Sequence, residues 1–220
     1  NRYRNSELEN YHAKIKYKIR DMARKYATIL KVRLNGTELV EVLKKIRQNL
    51  ASKKKFYVVT PNPEIILLGE RDKNLREVIN NADFSVPDGI GVVAGERFLD
   101  LPTTNLDLLK IPYYFLQGIG VGIAILFRKS WLQRKMTVVR GRELMIDVLR
   151  MANQDNLKVF LFGSTNRVIS KSIGLISKKF KNIKILGSSG PHLNDDGEPA
   201  SEEDRKIEGA KIEEINTFNP

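Results

Sequence analysis

Residues 56–64 read Phe-Tyr-Val-Val-Thr-Pro-Asn-Pro-Glu, an apolar run that ends abruptly at two prolines. The apolar part, residues 56–59, is typical of a short buried strand, and the prolines turn the next residues into a loop. A helix is expected to begin near Pro63, because proline is tolerated in the first turn of a helix. The stretch therefore predicts a strand, a polar loop and a helix in succession.

The same succession recurs along the chain. Further strands are predicted at residues 83–86, 158–162 and 183–186, and they end in the loops Pro87-Asp88-Gly89, Gly163-Ser164 and Gly187-Ser188-Ser189-Gly190. Apolar residues at helical spacing fill the intervals, as at Leu39, Val42, Leu43 and Ile46. Strands that alternate with helices predict an α/β fold with a Rossmann-like, doubly wound, mostly parallel sheet. Ligands bind such sheets at the carboxyl ends of the strands.

Composition limits the classes of function. The 220 residues suffice for one α/β domain, which we expect over residues 32–220, after a basic helix over residues 1–31. Cysteine is absent, which excludes disulfides and thiolate nucleophiles and fits a reducing cytoplasm. His12 and His192 are too isolated to support a metal site. The net charge of +12 predicts a polyanionic partner: nucleic acid, an anionic membrane surface or a diphosphate-bearing substrate.

Residues 111–127 carry no charge, and Arg128, Lys129, Arg134 and Lys135 follow them around Trp131. As a helix, 17 residues would span roughly 26 Å, short of a hydrocarbon core of about 30 Å. A shallow interfacial or re-entrant helix is the favoured interpretation, with a buried hairpin and a full membrane span as alternatives. The three glycines in this segment lack the GxGxxG spacing of a dinucleotide site.

Polar side chains follow the first two predicted strands. Asp88, held between Pro87 and Gly89, is a candidate general base, although Pro-Asp-Gly is also a common turn sequence. The Thr60 hydroxyl and the Asn62 amide are candidates for holding sugar hydroxyls, or are turn formers. If the two strands are parallel, all three side chains converge on one edge of the sheet.

The later loops offer backbone donors. Gly163 and Ser164 precede a predicted helix whose first amides are free to bind an anion, and Gly187 opens a second glycine-containing loop. A diphosphate leaving group needs such donors, or cations, to stabilise the charge that develops as a glycosidic bond breaks. These loops are therefore candidates for a donor-diphosphate site.

These motifs, in this order, resemble the TagA/WecG/CpsF family of glycosyltransferases. The resemblance covers roughly residues 32–95 and 136–220. It is carried by Thr60-Pro-Asn-Pro-Glu64, Asp83 with Val86-Pro-Asp-Gly-Ile-Gly-Val-Val93, Gly141-Arg-Glu-Leu144, Val159-Phe-Leu-Phe-Gly163 and Glu214-Ile-Asn216.

The resemblance implies an activity. It is the transfer, with inversion and without a metal or cofactor, of an N-acetylmannosamine-type sugar from its UDP donor to the C4 hydroxyl of a GlcNAc diphosphate polyprenol. Such reactions serve cell-surface polysaccharide or teichoic acid synthesis. Asp88 matches the family's proposed base, Thr60 and Asn62 match its acceptor pocket, and the later glycine loops would face the UDP. Gly89, next to Asp88, is a candidate substrate-binding residue. A cytoplasmic protein at the inner face of the membrane is implied, and a homo-oligomer stays open.

The chain departs from the family pattern in three places. The stretch of about residues 97–136 is longer than usual and contains the apolar segment. Val138 stands where many members have an arginine, so binding of the donor phosphates would pass to Arg134, Arg140 or Arg142. Members continue beyond the position of Pro220, so the α/β domain is expected to be incomplete at its C-terminus and this piece alone to be weakly active or inactive.

Two other classes of function stay open from the residues themselves. The charge and the basic segment 1–31 also suit a non-catalytic protein that binds a membrane or another polyanion. An α/β enzyme of different chemistry, such as a dehydrogenase, would bind NAD in place of a UDP-sugar. No named nucleic-acid-binding motif is present, so nucleic acid is not an expected partner.

Overall fold

The computed structural model describes residues 26–194 and 197–220. The described residues form two compact units, one up to Leu144 and one from Met145, and the division falls within one helix. The predicted basic helix over residues 1–31 lies largely outside the described residues. Its last part is not helical, because Tyr26–Ile29 forms a strand.

The first unit begins with an antiparallel hairpin of β1 (Tyr26–Ile29) and β2 (Val32–Asn35). Helix α1 (Leu39–Ala51) leads to β3 (Val58–Val59), α2 (Pro63–Arg71), α3 (Lys73–Asn81) and β4 (Phe84–Ser85). Strands β3 and β4 are parallel, as the sequence predicts. Helix α4 (Ile90–Leu99) and a 3-10 turn (Asp107–Leu109) precede α5 (Lys110–Phe127), α6 (Lys129–Leu132) and the start of α7 (Gly141–Gln154).

Local sequence explains where the helices of this unit begin. Asn62 caps α2 by accepting a hydrogen bond from the Ile65 amide at 2.8 Å, and Pro63 fills the first helical position. Asp72 caps α3 through the amides of Asn74 and Leu75. The expected helix start near Pro63 is therefore confirmed.

The core of the first unit is apolar and surrounds β2. Val32, Leu34, Val93 and Leu132 are completely buried, and burial of each such side chain contributes about 1.5–3 kcal/mol. Strand β4 is tied to β2 by the buried Asn35, whose Oδ1 accepts a hydrogen bond from the Ser85 amide at 2.6 Å. These contacts fix the strand that leads into the Pro87-Asp88-Gly89 loop.

The second unit contains the rest of α7, then β5 (Lys158–Phe162), α8 (Asn166–Lys179), β6 (Lys184–Ser188) and α9 (Glu202–Phe218). Strands β5 and β6 are parallel over five residue pairs, from Lys158↔Lys184 to Phe162↔Ser188. Thr165 caps α8 and Ser201 caps α9. The architecture is thus mixed α/β with parallel strand pairs, although the described strands pair two by two and not in one continuous sheet.

Two expectations need correction. The polar run at residues 194–204 is rich in acids and contains Gly197 and Pro199, a composition that predicts a surface loop. It is not all loop, because α9 begins at Glu202 and buries Asp204, which bonds to Ser201 in a helix cap. The apolar segment 111–127 is a single, mostly exposed helix, so the alternative of a buried hairpin is wrong. By length and composition alone, residues 107–127 would suffice to cross a membrane.

Candidate active site

The loops after β3 and β4 run side by side. Hydrogen bonds continue the parallel pairing past the strand ends: the Val86 amide donates to the Val59 carbonyl at 2.9 Å, and the Asp88 amide donates to the Pro61 carbonyl at 3.1 Å. Pro61 and Pro87 are fully buried, which holds both loops rigidly. Thr60 and Asp88 therefore lie at the same edge of the strand pair.

A third segment completes this edge. The Val139 amide donates to the Pro87 carbonyl at 3.0 Å, and α7 then begins at Gly141. A Cβ at Gly141 would lie 3.0 Å from Thr60 Oγ1 and 3.3 Å from Asp88 Oδ2. We call Thr60, Asp88 and Gly141 the edge cluster. The sequence pattern places Gly141 in a motif but does not mark it as a site residue.

The two polar side chains of the edge cluster are not used by the fold. Both are half-buried. Among residues 26–194 and 197–220, no hydrogen bond or ion pair engages the Thr60 hydroxyl or the Asp88 carboxylate. Buried polar groups in proteins are normally hydrogen-bonded. These two half-buried groups have no partner among the described residues, so they are available to a ligand.

Neighbouring polar residues have structural partners. The Oδ1 atom of Asn62 accepts the hydrogen bond that caps α2, so its amide nitrogen is the group that can bind a ligand. Asp83, at the other end of β4, accepts hydrogen bonds from Lys54 Nζ at 3.1 Å and from the Tyr57 amide at 3.3 Å. The bond from Lys54 is the main reason why the pKa of Asp83 lies below its usual value. Asp83 therefore holds β3 and β4 together.

Three helices begin at this edge. Gly89 precedes α4 with a φ of 100°, a left-handed conformation that favours glycine, and it offers no side chain to cap the helix. A Cβ at Gly91 would lie 3.2 Å from Pro63 Cγ, so the starts of α4 and α2 are adjacent. Gly141 starts α7. The free amides and dipoles of helix N-termini favour an anionic group here.

The candidate arginines are not drawn into the edge cluster. Arg140 is exposed and pairs with Glu143 at 2.8 Å, one turn along the same helix. Arg134 and Arg142 are also exposed. No ion pair within the described residues joins any of them to Asp88. Their part in binding donor phosphates stays a prediction.

The loops of the second unit hold the other predicted site residues. Gly163 and Ser164 both adopt left-handed conformations, with φ of 106° and 62°, and the Gly163 amide donates to the Ser188 carbonyl at 3.2 Å. At Gly187 a Cβ would lie 2.6 Å from the Leu161 carbonyl oxygen. Gly187 is thus required by the close approach of β5 and β6, whether or not a ligand binds there.

No group of three or more His, Asp or Glu side chains in the described part of the chain is arranged to hold a metal. His192 lies 3.3 Å from Asp204, which also accepts hydrogen bonds from Ser201 and from the His192 amide. The bond from Ser201 is the largest cause of the lowered pKa of Asp204. This His–Asp pair therefore belongs to the cap of α9. His12 lies outside the described residues.

Comparison with known proteins bears on these observations. The model of the "Glycosyl transferase WecG/TagA/CpsF family" matches residues 27–109 and 107–220. Two similar proteins are both named "N-acetylglucosaminyldiphosphoundecaprenol N-acetyl-beta-D-mannosaminyltransferase". One, from Staphylococcus aureus (strain NCTC 8325 / PS 47), is 27% identical over 74% of this chain and 52% of its own length. The other, from Bacillus subtilis (strain 168), is 26% identical over 74% of this chain and 51% of its own length.

The chain thus spans about half the length of the curated relatives it matches. The family match covers both units and includes every residue of the edge cluster. It also agrees with the resemblance carried by the ordered sequence motifs. This protein belongs to the WecG/TagA/CpsF family of glycosyl transferases.

Proposed function

We propose that this protein transfers an N-acetylmannosamine-type sugar from a UDP donor to the C4 hydroxyl of a GlcNAc diphosphate polyprenol, with inversion. The names of the two relatives describe an N-acetylmannosaminyl transfer onto a GlcNAc diphosphate lipid. The pathway would be teichoic acid or another cell-surface polysaccharide. A Rossmann-like, doubly wound sheet is the fold we propose.

One observation carries this proposal. The Asp88 carboxylate and the Thr60 hydroxyl are half-buried, lie against the same glycine and have no partner among the described residues. A general base needs a fixed carboxylate within reach of the acceptor hydroxyl, and a sugar needs polar groups around it. The edge cluster supplies both beside three helix N-termini that suit a diphosphate.

The proposed step moves one proton and exchanges one bond. Asp88 accepts the proton of the acceptor C4 hydroxyl while that oxygen attacks C1 of the donor sugar. The bond from C1 to the UDP oxygen breaks, UDP leaves with the bonding electrons, and the configuration at C1 inverts. Thr60 would orient the acceptor sugar, and the Asn62 amide nitrogen would donate a hydrogen bond to it.

The donor half of the reaction is assigned to the second unit. Its loops at Gly163, Ser164 and Gly187 would hold the UDP through backbone amides, and Arg140 or Arg142 would add positive charge. No metal and no cofactor take part in the proposed reaction. A chelator should therefore leave the rate unchanged, and a loss of activity that Mg²⁺ or Mn²⁺ restores would contradict this point.

The site of action would be the cytoplasmic face of the cell membrane, because the proposed acceptor is anchored there by its polyprenol. The net charge of +12 supports attraction to an anionic surface. Fractionation of cells should recover the protein with the membrane at low salt. Recovery in the soluble fraction under those conditions would argue against a peripheral location.

The decisive experiment compares two aspartates of one loop-and-strand segment. In the complete gene product, Asp88→Asn should lower kcat for UDP release by about 100-fold or more, because the base is removed. Asp83→Asn, at the other end of β4, is the matched control and should keep kcat within a factor of two or so. Full activity of Asp88→Asn would refute the assignment of the base.

Ligand binding separates this proposal from the two alternatives. A glycosyltransferase should bind UDP and the UDP-sugar, as measured by calorimetry, and should not bind NAD. NAD binding would support a dehydrogenase. Binding to polyanions with no affinity for UDP-sugars would support the non-catalytic alternative.

A further inference from the structure

Helix α5 has two unlike faces. One face packs on the first unit: Val121 and Ala124 are buried, and the ring of Tyr114 lies 6.4 Å from that of Phe98 on α4. The other face exposes large apolar side chains, with Ile111 83%, Phe115 68% and Phe127 78% exposed. The exposed apolar face consists of Ile111, Phe115, Leu116, Ile119, Ile123, Leu126 and Phe127.

The buried face keeps α5 attached along its length. Tyr113 Oη and Gln117 Nε2 both donate hydrogen bonds to the Pro102 carbonyl, at 3.1 and 2.8 Å. A membrane-spanning helix would have to leave these partners. The packed helix is suited to lie in the plane of a membrane.

The charges on α5 and in the segment that directly follows it are of one sign. Residues 108–142 contain no Asp or Glu but seven Lys or Arg. Lys110, Lys135 and Arg140 pair with acids outside or at the border of this stretch. Arg128, Lys129 and Arg134 follow the helix, are exposed and form no ion pair with another described residue. They make the C-terminal end of α5 attractive to anions.

The exposed apolar face of α5 and its basic border together indicate which partner can bind there. A second copy of this chain would bring the same positive charge to the contact and would be repelled, given the net charge of +12. An anionic phospholipid surface satisfies both parts, because apolar side chains enter the acyl region while Arg and Lys meet the headgroups.

We infer that α5 docks this protein on an anionic bilayer, with its exposed apolar face inserted in the interface and Arg128, Lys129 and Arg134 among the headgroups. Helix α4 relates this contact to the edge cluster. It begins directly after Asp88 and Gly89, and its Phe98 packs on α5; ten residues of helix measure about 15 Å. The docked helix would therefore keep Asp88 near the membrane surface. Only this last step rests on the proposed function; the docking does not.

Vesicle binding tests the docking directly. The protein should co-sediment with phosphatidylcholine vesicles that contain phosphatidylglycerol and should bind at least about tenfold more weakly to phosphatidylcholine alone or at high salt. Trp131, the single tryptophan, follows α5 and should be quenched by brominated lipid. Failure to bind anionic vesicles, or binding indifferent to lipid charge, would overturn the inference.

Surface variants locate the contact. The combined changes Phe115→Ser, Ile119→Ser and Phe127→Ser should weaken vesicle binding by about 100-fold or more, because three inserted side chains are lost. Val40→Ser, Val168→Ser and Leu175→Ser remove three exposed apolar side chains on other helices and form the matched control, which should bind normally. Circular dichroism checks that both variants are folded. Equal binding by both would refute the assignment to α5.

Two further measurements separate the possible failures. Sedimentation that shows a dimer of the unmodified protein, lost in the α5 variant and without vesicle binding, would assign the face to a second copy and overturn the inference. With a soluble short-chain acceptor, the α5 variant should release UDP at the normal rate, but with an acceptor in vesicles the rate should fall about tenfold or more. Asp88→Asn should still bind vesicles, so inactivity and failure to dock are distinguishable.

Discussion

Two sets of loops in this protein follow parallel strands, and they use their residues differently. In the second unit the fold accounts for Gly187, which lets β5 and β6 approach, and for Thr165, which caps α8. In the first unit, Thr60 and Asp88 have no structural partner among the described residues, and Gly141 leaves space beside them. The difference teaches that a polar loop is a better site candidate when the fold does not need its polar groups.

The largest expected effect comes from filling the two glycines. Gly187→Ala places a Cβ 2.6 Å from the Leu161 carbonyl oxygen, so β5 or β6 must shift, at a cost of about 3 kcal/mol of unfolding free energy. Gly141→Ala meets Thr60 Oγ1 at 3.0 Å, a side-chain atom that can move slightly. It should leave stability nearly unchanged but lower kcat about 10- to 100-fold by displacing Thr60 and Asp88.

Urea denaturation and steady-state kinetics measure the two effects separately. The contrast between the two sets of loops would be contradicted if Gly187→Ala is as stable as the unmodified protein and has lost UDP binding. In that case Gly187 serves the proposed UDP site and is not needed for the approach of β5 and β6. A Gly141→Ala protein that is unstable rather than inactive would likewise remove Gly141 from the edge cluster.

A smaller effect is expected when two threonines lose their hydroxyl groups. Thr60→Val keeps the shape of the side chain and should leave stability within about 0.5 kcal/mol, since no described residue bonds to the hydroxyl, while kcat/KM falls about tenfold. Thr165→Val removes an acceptor that caps α8 through the Val168 amide at 3.4 Å. It should cost about 1 kcal/mol of stability.

Thermal melting and kinetics on the same preparations test whether Thr60→Val lowers activity alone and Thr165→Val lowers stability alone. Thr165→Val should retain the kcat of the unmodified protein when assayed well below its melting temperature. If Thr60→Val loses stability while its activity is unchanged, the Thr60 hydroxyl has a structural role and the edge cluster is reduced to Asp88 and Gly141.

Local pattern predicted much of the fold. Strand β5 occupies the predicted residues 158–162, and α2 begins at Pro63, because an apolar run and a proline act over a few positions. The start of α9 was missed although Ser201 and Asp204 have the spacing of a helix cap, since the surrounding acids and Gly197 also fit a loop. The cap signal was present and was outweighed by composition.

The candidate site was only partly predictable. Parallel strands explain why Thr60 and Asp88 meet. The approach of Gly141 depends on a hydrogen bond from Val139 to Pro87, across more than fifty positions, and leaves no local trace in the sequence. The apolar residues 111–127 likewise cannot reveal which of their faces is covered. The position of Gly141 and the covered face of residues 111–127 both depend on which distant segments of the chain pack against them.

The smallest expected effect concerns Glu96. It tests whether a buried polar group without a hydrogen-bond partner is enough to identify a functional site. Glu96 is buried on α4, and its Oε2 has no hydrogen-bond partner among the described residues, yet it lines a cavity with Asp100 and Lys135 that includes no residue of the edge cluster. Burial is the main cause that raises its pKa; Asp100 raises it further, and Lys135, 4.0 Å from Oε1, and Arg97 oppose the shift. We expect a cost to stability and no part in the transfer.

The raised pKa of Glu96 determines how the stability of the protein changes with pH. The folded protein holds the Glu96 proton more tightly than the unfolded chain, whose value is near 4.5, so stability is lost as pH rises from there through the raised folded pKa. Glu96→Gln cannot titrate, and it should flatten that decline and raise stability at neutral pH by about 1 kcal/mol, with kcat unchanged. Urea unfolding at several pH values measures this, with the exposed Glu70→Gln as control. A large loss of kcat in Glu96→Gln would mean that a buried carboxylate with one unbonded oxygen marks function even away from the strand edge.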